Sequence, residues 1–277
     1  MSEEVTLAGV IGDPIGHSRS PIVHGHWLKR HGLKGFYVPL HVSRENFADV
    51  LRVLPKMGFR GVNVTVPHKE LAINLADSVT DRAALIGAAN TLTFTKDGKV
   101  QADNTDGVGF LRNLKQVAPG WSASDGPCLV LGGGGAARAV VAALLEDGAL
   151  KVIIMNRTKA RVEAIRDHFG AKVEVQDWTQ IPEIIGSVAT LVNTTTLGMV
   201  GGYPLSINLD NLKSKTLVTD VVYTPLRTDL LVKAEARGCR VVDGLGMLLH
   251  QAVPGFERWF GPTPVVDEEL RQAVLNT

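Results

Sequence analysis

The stretch Cys128-Leu129-Val130-Leu131-Gly132-Gly133-Gly134-Gly135-Ala136-Ala137 decides the fold: a short apolar run breaks into four glycines and then into an alanine-rich helical pattern. It reads as strand, tight turn and helix. Gly132-x-Gly134-x-x-Ala137 fits the dinucleotide fingerprint. The first glycine makes the turn, the second lets a pyrophosphate approach the backbone, and the small residue lets helix pack on strand. The open N–H groups at the helix start then face the phosphates.

The next apolar run, Lys151–Met155, ends in Asn156-Arg157-Thr158. This is about twenty residues past the glycines, where an NAD-binding chain carries Asp or Glu for the ribose 2′-hydroxyl. No acid stands there. Arg157 instead offers a planar fork of donors suited to a phosphate, and Asn156 and Thr158 add neutral donors, a set that fits the 2′-phosphate of NADP. A methyltransferase would also want an acid at this point, so Asn156 argues against one.

Composition sets the outer limits. The 277 residues are 45% hydrophobic and 21% charged, enough for one large core or two medium ones, and a net charge of +1 leaves no basic footprint for nucleic acid. The partner expected is a small molecule, with neither nucleic acid nor membrane. Met1-Ser2-Glu3-Glu4 is acidic rather than signal-like, and no apolar run approaches the ~18 residues of a membrane span. Cys128 and Cys239 each lie beside an apolar run, which suits buried thiols in a reducing cytoplasm better than a disulfide.

The hydrophobic period alternates between strand and helix. Strands are expected at 5–11, 36–40 and 61–64, with helices at 21–31, 44–57 and 70–75 between them. Thr91–Phe94 and Val100–Ala102 flank Lys96-Asp97-Gly98-Lys99, a hairpin signal, so the first sheet should be mixed. Beyond the glycine turn, strands at 128–131, 151–155, 172–175, 190–193, 217–220 and 240–242 follow the doubly wound α/β pattern. Helices at 247–260 and 268–275 have no following strand and are expected to return to the first domain. The domains are therefore 1–105 with 244–277, and 106–243.

Three polar clusters in the first domain are substrate candidates. In Gly12-Asp13-Pro14-Ile15-Gly16-His17-Ser18-Arg19-Ser20-Pro21, two hydroxyls can point at one ligand, although Ser20-Pro21 by itself reads as an N-cap followed by Pro. In Asn63-Val64-Thr65-Val66-Pro67-His68-Lys69, Lys69 opens a helix against its dipole and so needs an anion or a carboxylate as partner. In Asp103-Asn104-Thr105-Asp106-Gly107, Asp106 is either a helix cap or a functional carboxylate. His24, His26 and His31 lack ligand spacing, so no metal site is expected.

These clusters resemble the shikimate dehydrogenase family. The matching pieces, in order, are Gly12-x-Pro14 with His17-Ser18-Arg19-Ser20-Pro21-x-x-His24, then Asn63-Val64-Thr65-Val66-Pro67-x-Lys69, Gly87-Ala88-Ala89-Asn90-Thr91 and Asp103–Gly107. The glycine turn, Asn156–Thr158, Asn193-Thr194-Thr195-Thr196-Leu197-Gly198-Met199 and Asp243-Gly244-Leu245-Gly246-Met247-Leu248-Leu249-x-Gln251 complete the series. Gly25 departs from the usual pattern where a polar residue is common, as do Thr196 and Asp229, where Pro is common.

The resemblance implies a two-domain enzyme that reduces 3-dehydroshikimate to shikimate with NADPH on the route to aromatic amino acids, with the substrate in a cleft between the domains. It implies that Ser18 and Ser20 hold the substrate carboxylate, that Thr65, Lys69, Asn90, Asp106 and Gln251 hold the ring hydroxyls, and that Tyr223 lies near the carboxylate. Lys69 and Asp106 would be the catalytic pair, stabilising the oxyanion and delivering its proton. On the cofactor side it implies Gly132, Gly133, Gly134, Gly135, Ala136, Asn156, Arg157, Thr158, Thr195, Gly244 and Met247. A monomer or homodimer is expected. Two alternatives stay open: dual quinate/shikimate specificity, and a non-catalytic sensor, which would have lost Lys69 or Asp106.

Overall fold

The structure, a computed structural model, describes residues 5–276; Met1–Glu4 and Thr277 lie outside the described residues. Two compact units divide the chain, with breaks after Gly109 and after Met247. Both fall slightly beyond the breaks expected from sequence, because the chain passes between units inside helices rather than loops.

The first unit runs β1 (Thr6–Gly12), α1 (Ser20–Arg30), β2 (Gly35–His41), α2 (Phe47–Val53), β3 (Phe59–Val64), α3 (Lys69–Asn74), β4 (Ser78–Val79), α4 (Asp81–Ile86), β5 (Thr91–Phe94) and β6 (Val100–Asp103), then enters α5 (Asp106–Val117). Its sheet has the order β2-β1-β3-β5-β6-β4. β1 is parallel to both neighbours, whereas β5 is antiparallel to β3 and β6, so the sheet is mixed. The hairpin closes at Asp97-Gly98, where Gly98 takes φ +79°. The helix expected over 44–57 is split: Pro55 opens a separate 3₁₀ turn, Leu54–Met57, after α2.

The second unit carries β7 (Cys128–Leu131), α6 (Gly135–Glu146), β8 (Val152–Met155), α7 (Lys159–Phe169), β9 (Val173–Val175), α8 (Ile181–Ile184), β10 (Thr190–Asn193), β11 (Leu217–Asp220), α9 (Asp229–Glu235) and β12 (Arg240–Val242). Its sheet is wholly parallel in the order β12-β11-β10-β7-β8-β9. Cys128 and Val130 join one apolar cluster with α6, while Leu129 and Leu131 join another with α9. A strand buried on both faces explains why β7 reads as an unbroken apolar run. Cys128 and Cys239 are buried free thiols, and burial pushes Cys128 up to about 12.

The chain re-enters the first unit within α10 (Leu245–Phe260), and α11 (Glu268–Leu275) follows. Trp259 anchors α10 there: its indole N–H donates to Leu92 O at 3.1 Å, over Gly61, where any Cβ would collide with the ring. Arg258 reaches Asp103 at 2.5 Å. Among the described residues, no helix is long and apolar enough to cross a membrane.

Candidate active site

Parallel pairing of β1 and β3 sets two of the three polar clusters side by side at the strand ends. Asp13 N–H donates to Val66 O at 3.1 Å, joining the serine loop to the loop before α3. Gly12 is required at this contact, since a Cβ there would lie 2.6 Å from Thr65 Cγ2. Ser20 is not the N-cap that local sequence suggests. Arg19 occupies the cap position without a side-chain cap bond, and Ser20 begins the helix. The buried Ser20 hydroxyl partners the Tyr37 phenol, which donates to Asn63 Oδ1 at 2.7 Å. Gly25, one of the departures from the family pattern, is turned away from Ser20. It lies roughly 140° around the helix at 100° per residue, solvent-exposed, with nothing within 4 Å of its Cβ direction.

The third cluster arrives through β5 and β6, whose register pairs Thr91 with Asp103. Lys69 finds its counter-charge in Asp106: Nζ and Oδ2 are 2.5 Å apart, with side chains 15% and 6% exposed. Asp106 is thereby committed to Lys69 rather than to capping α5. Asn90 organises the rest. Its amide donates to Asp106 Oδ1 at 2.8 Å, Gln251 Oε1 at 3.0 Å and Thr105 Oγ1 at 3.1 Å, while its carbonyl accepts from Thr105 N–H at 2.8 Å and from the Thr91 hydroxyl at 2.9 Å. With both ends of the amide committed, Asp106 presents Oδ2 to Lys69 in one orientation.

The histidines nearby do other work. His68 Nε2 donates to Val42 O at 2.7 Å, its ring stacks on Phe47, and burial pulls it down from its ordinary pKa. Since a neutral ring can only donate to a carbonyl, Nε2 carries the proton. His24 stacks on Tyr37 with 3.8 Å between centroids, and both its ring nitrogens are buried. Burial holds it neutral, pulled down to about 3. His17 is exposed, and the serine loop is held by its own backbone through Ser18 N–H to Ile15 O.

In the second unit, Gly132 turns at φ +128°, and a Cβ there would lie 2.3 Å from Thr194 Oγ1. Gly134 is the N-cap of α6 with no side-chain cap bond, and its Cβ direction opens onto empty space. Gly135 and Ala136 form the first turn, so their N–H groups have no intrahelical acceptor. Beside the glycines stand Asn156, which donates to Thr158 O at 3.1 Å, and the exposed Arg157. Two arginines absent from the sequence reading join them. The Arg161 Cβ lies 3.1 Å from the Cβ direction of Gly133, and Arg138, on the first turns of α6, keeps a buried Nε without a partner. Basic residues opening α7 against its dipole were a readable signal for Arg161. A glycine cradle, an uncapped helix start, an orphaned guanidinium nitrogen and exposed Arg157 fit a phosphorylated dinucleotide.

Thr195 lies after β10 and Tyr223 after β11. Gly244 packs on the backbone of Asp220 and Val221, and Met247 lies in the apolar core of the second unit. Burial pushes Asp220 up to about 6, against the lowering effect of Thr228, Val222 N–H and Asn193. The folded chain therefore binds this proton more tightly than the unfolded chain, whose Asp titrates near 3.8. Stability from this group is lost as pH rises from about 4 to 6. Asp220→Asn has no such dependence, so urea unfolding at pH 4 and 7 should move the stability difference toward the variant by roughly 2 kcal/mol.

Three stretches of the chain match known families: residues 10–92 the shikimate dehydrogenase substrate binding domain, 114–198 the shikimate/quinate 5-dehydrogenase family, and 244–275 the shikimate 5′-dehydrogenase C-terminal domain. The shikimate dehydrogenase (NADP(+)) of Jannaschia sp. is 64% identical over 273 residues, covering 99% of this chain and 98% of that protein. Among solved structures, Thermus thermophilus shikimate 5-dehydrogenase in complex with NADP(H) and shikimate is 35% identical, with a TM-score of 0.86 and 99% of each chain covered. Corynebacterium glutamicum quinate dehydrogenase in complex with NAD is 30% identical, with a TM-score of 0.90, 99% of this chain and 100% of that chain covered. Identity at this level over the whole length, on top of the polar constellation in the first unit, leaves one conclusion: the chain belongs to the shikimate dehydrogenase family.

Proposed function

We propose that the chain catalyses the reversible, NADPH-dependent reduction of 3-dehydroshikimate to shikimate, a step toward aromatic amino acids. The observation that carries this reading is the Lys69–Asp106 pair, buried and oriented by Asn90 and Gln251. Bound NADPH supplies the hydride. As the carbonyl carbon is reduced, negative charge builds on its oxygen, and the Lys69 ammonium within hydrogen-bond reach stabilises that charge. Asp106 keeps the ammonium charged and aimed, and the proton delivered to the oxygen belongs to the pair. Ser18 and Ser20 hold the substrate carboxylate. Thr65, Asn90 and Gln251 hold the ring hydroxyls. The glycines 132–135, Ala136 and Arg138 take the pyrophosphate. Asn156, Arg157 and Thr158 take the 2′-phosphate, and Thr195, Gly244 and Met247 border the rest of the cofactor. The enzyme works in the cytoplasm, where its two buried thiols stay reduced, as a monomer or a homodimer.

The test is a spectrophotometric assay of NADP⁺ and NAD⁺ against shikimate and quinate. Quinate adds a tertiary hydroxyl on a puckered carbon beside the carboxylate. A pocket that grips the flat shikimate acid leaves that hydroxyl buried without a partner, at a cost of about 1–3 kcal/mol. The expected kcat/KM for shikimate exceeds that for quinate by at least ten- to a hundred-fold. Comparable values would assign the chain dual specificity, and no NADP⁺ reduction with either acid would refute the reaction.

A further inference from the structure

Asn193 and Asp220 are buried polar side chains, 0% and 1% exposed, that the reaction above does not use. Parallel pairing of β10 and β11 places them directly opposite one another at the ends of the two strands. Asn193 Nδ2 donates to Asp220 Oδ1 at 2.9 Å, joining the strand ends.

Each side chain also closes the loop that follows its own strand. Asn193 Oδ1 accepts from Thr195 N–H at 3.0 Å and from the Thr195 hydroxyl at 2.7 Å, while its amide reaches Leu197 O at 3.2 Å. Asp220 Oδ1 accepts from Val222 N–H at 3.0 Å, and Oδ2 accepts from the Thr228 hydroxyl at 2.7 Å. Farther out, Val200 N–H donates to Thr224 O at 3.0 Å. Behind the pair there is no slack: a Cβ on Gly244 would lie 2.5 Å from Val221 O. A carboxylate can accept all its donors here at once, which offsets the cost of burying it.

The direction of the cofactor follows from the sheet order. Arg157, at the 2′-phosphate, follows β8, and the glycine turn follows β7. The remaining half of a dinucleotide then crosses the switch point onto the ends of β10 and β11. These are the loops that Asn193 and Asp220 close.

We propose that Asn193 and Asp220 form a positioning pair that sets the reactive end of the cofactor site by locking the Thr195 and Tyr223 loops to one another. The proposal rests on the NADP reading above. The pair touches neither cofactor nor substrate; it acts through Thr195 and the backbone of Val222, next to Tyr223.

The test combines NADPH binding, read by fluorescence titration, with steady-state kinetics and thermal midpoints. Asn193→Ala and Asp220→Ala should each weaken NADPH binding about tenfold and lower kcat, as expected when a buried network bond is cut. The double variant should be no worse than the worse single variant, because both cuts release the same pair of loops. Asp220→Asn can still accept from Asn193 and Val222 and can donate to Thr228, so it should bind NADPH within about threefold of the parent. Thr228→Val keeps volume and removes one donor, and should weaken NADPH binding detectably; it carries the test if the alanine variants do not fold. Folded alanine variants that bind NADPH as the parent does, strictly additive losses, or an unchanged affinity in Thr228→Val would each overturn the proposal. A parent chain that does not bind NADPH refutes the cofactor reading and this proposal with it. A parent that binds NADPH but leaves shikimate unoxidised refutes only the reaction.

Discussion

Lys69→Ala should lower kcat by about 10²–10⁴-fold, the range for loss of a positioned acid–base group, while shikimate binding changes far less. On the proposed roles, the asymmetry arises because the ammonium matters most once charge has developed on the substrate oxygen, whereas Ser18, Ser20 and Gln251 would contribute to binding in the ground state as well. The variant also leaves Asp106 without its ion pair at a site where its side chain is 6% exposed. A modest drop in thermal midpoint should accompany the kinetic loss, softened because Asn90 still donates to the other carboxylate oxygen. Asp106→Asn should be impaired too, since the ammonium would lose both its charge partner and its aim. Turnover by absorbance at saturating NADP⁺, together with shikimate calorimetry, separates the two quantities. If Lys69→Ala kept more than half the parent kcat, the catalytic assignment would fail.

Much of this architecture can be read along the chain. The limits of β7, β10, β11, β12 and α11 coincide with the expected ones. Strands buried on both faces carry continuous Val, Leu and Ile, and α11 is announced by Asp267, which caps Leu270 N–H. What escaped lacks such periodicity. β4 is two exposed residues, too short to show a period. α4 is bracketed only by the Thr80 cap and Gly87 at φ +71°. Ser20-Pro21 satisfies the local capping rule, yet the competing partner, Tyr37, lies on β2, beyond the reach of any local pattern.

The same divide runs through the site. The serines, Thr65, Lys69 and Asp106 stand out because polar residues interrupt apolar segments, and Lys69 opposes its own helix dipole. Which of them meet is a tertiary fact: Asn90 reaches Gln251 across 161 positions of chain. Likewise, the Asn193–Asp220 bond requires the register of two parallel strands, a relation no single-strand pattern encodes.

Arg157→Ala should raise KM for NADP⁺ by about ten- to a hundred-fold, because a hydrogen bond to a charged group is worth roughly 1.5–3 kcal/mol and each 1.4 kcal/mol is tenfold. KM for NAD⁺ should barely move, since NAD⁺ has no 2′-phosphate for the guanidinium to meet. Arg157 is exposed and makes no ion pair among the described residues, so its removal leaves no buried charge behind and should not disturb folding. Arg161 stands close to the same glycines and retains part of the positive field, which places the single variant toward the lower end of the range. Removing both arginines should then bring the two cofactors close to parity, a change of specificity rather than a general loss. Raising ionic strength should weaken NADP⁺ binding in the parent more than in the double variant, because exposed charges are screened within a Debye length of about 8 Å at physiological salt. Equal losses with NADP⁺ and NAD⁺ in Arg157→Ala would show that this arginine supports the loop after β8 rather than the phosphate, and would return the choice of cofactor to the glycine turn alone.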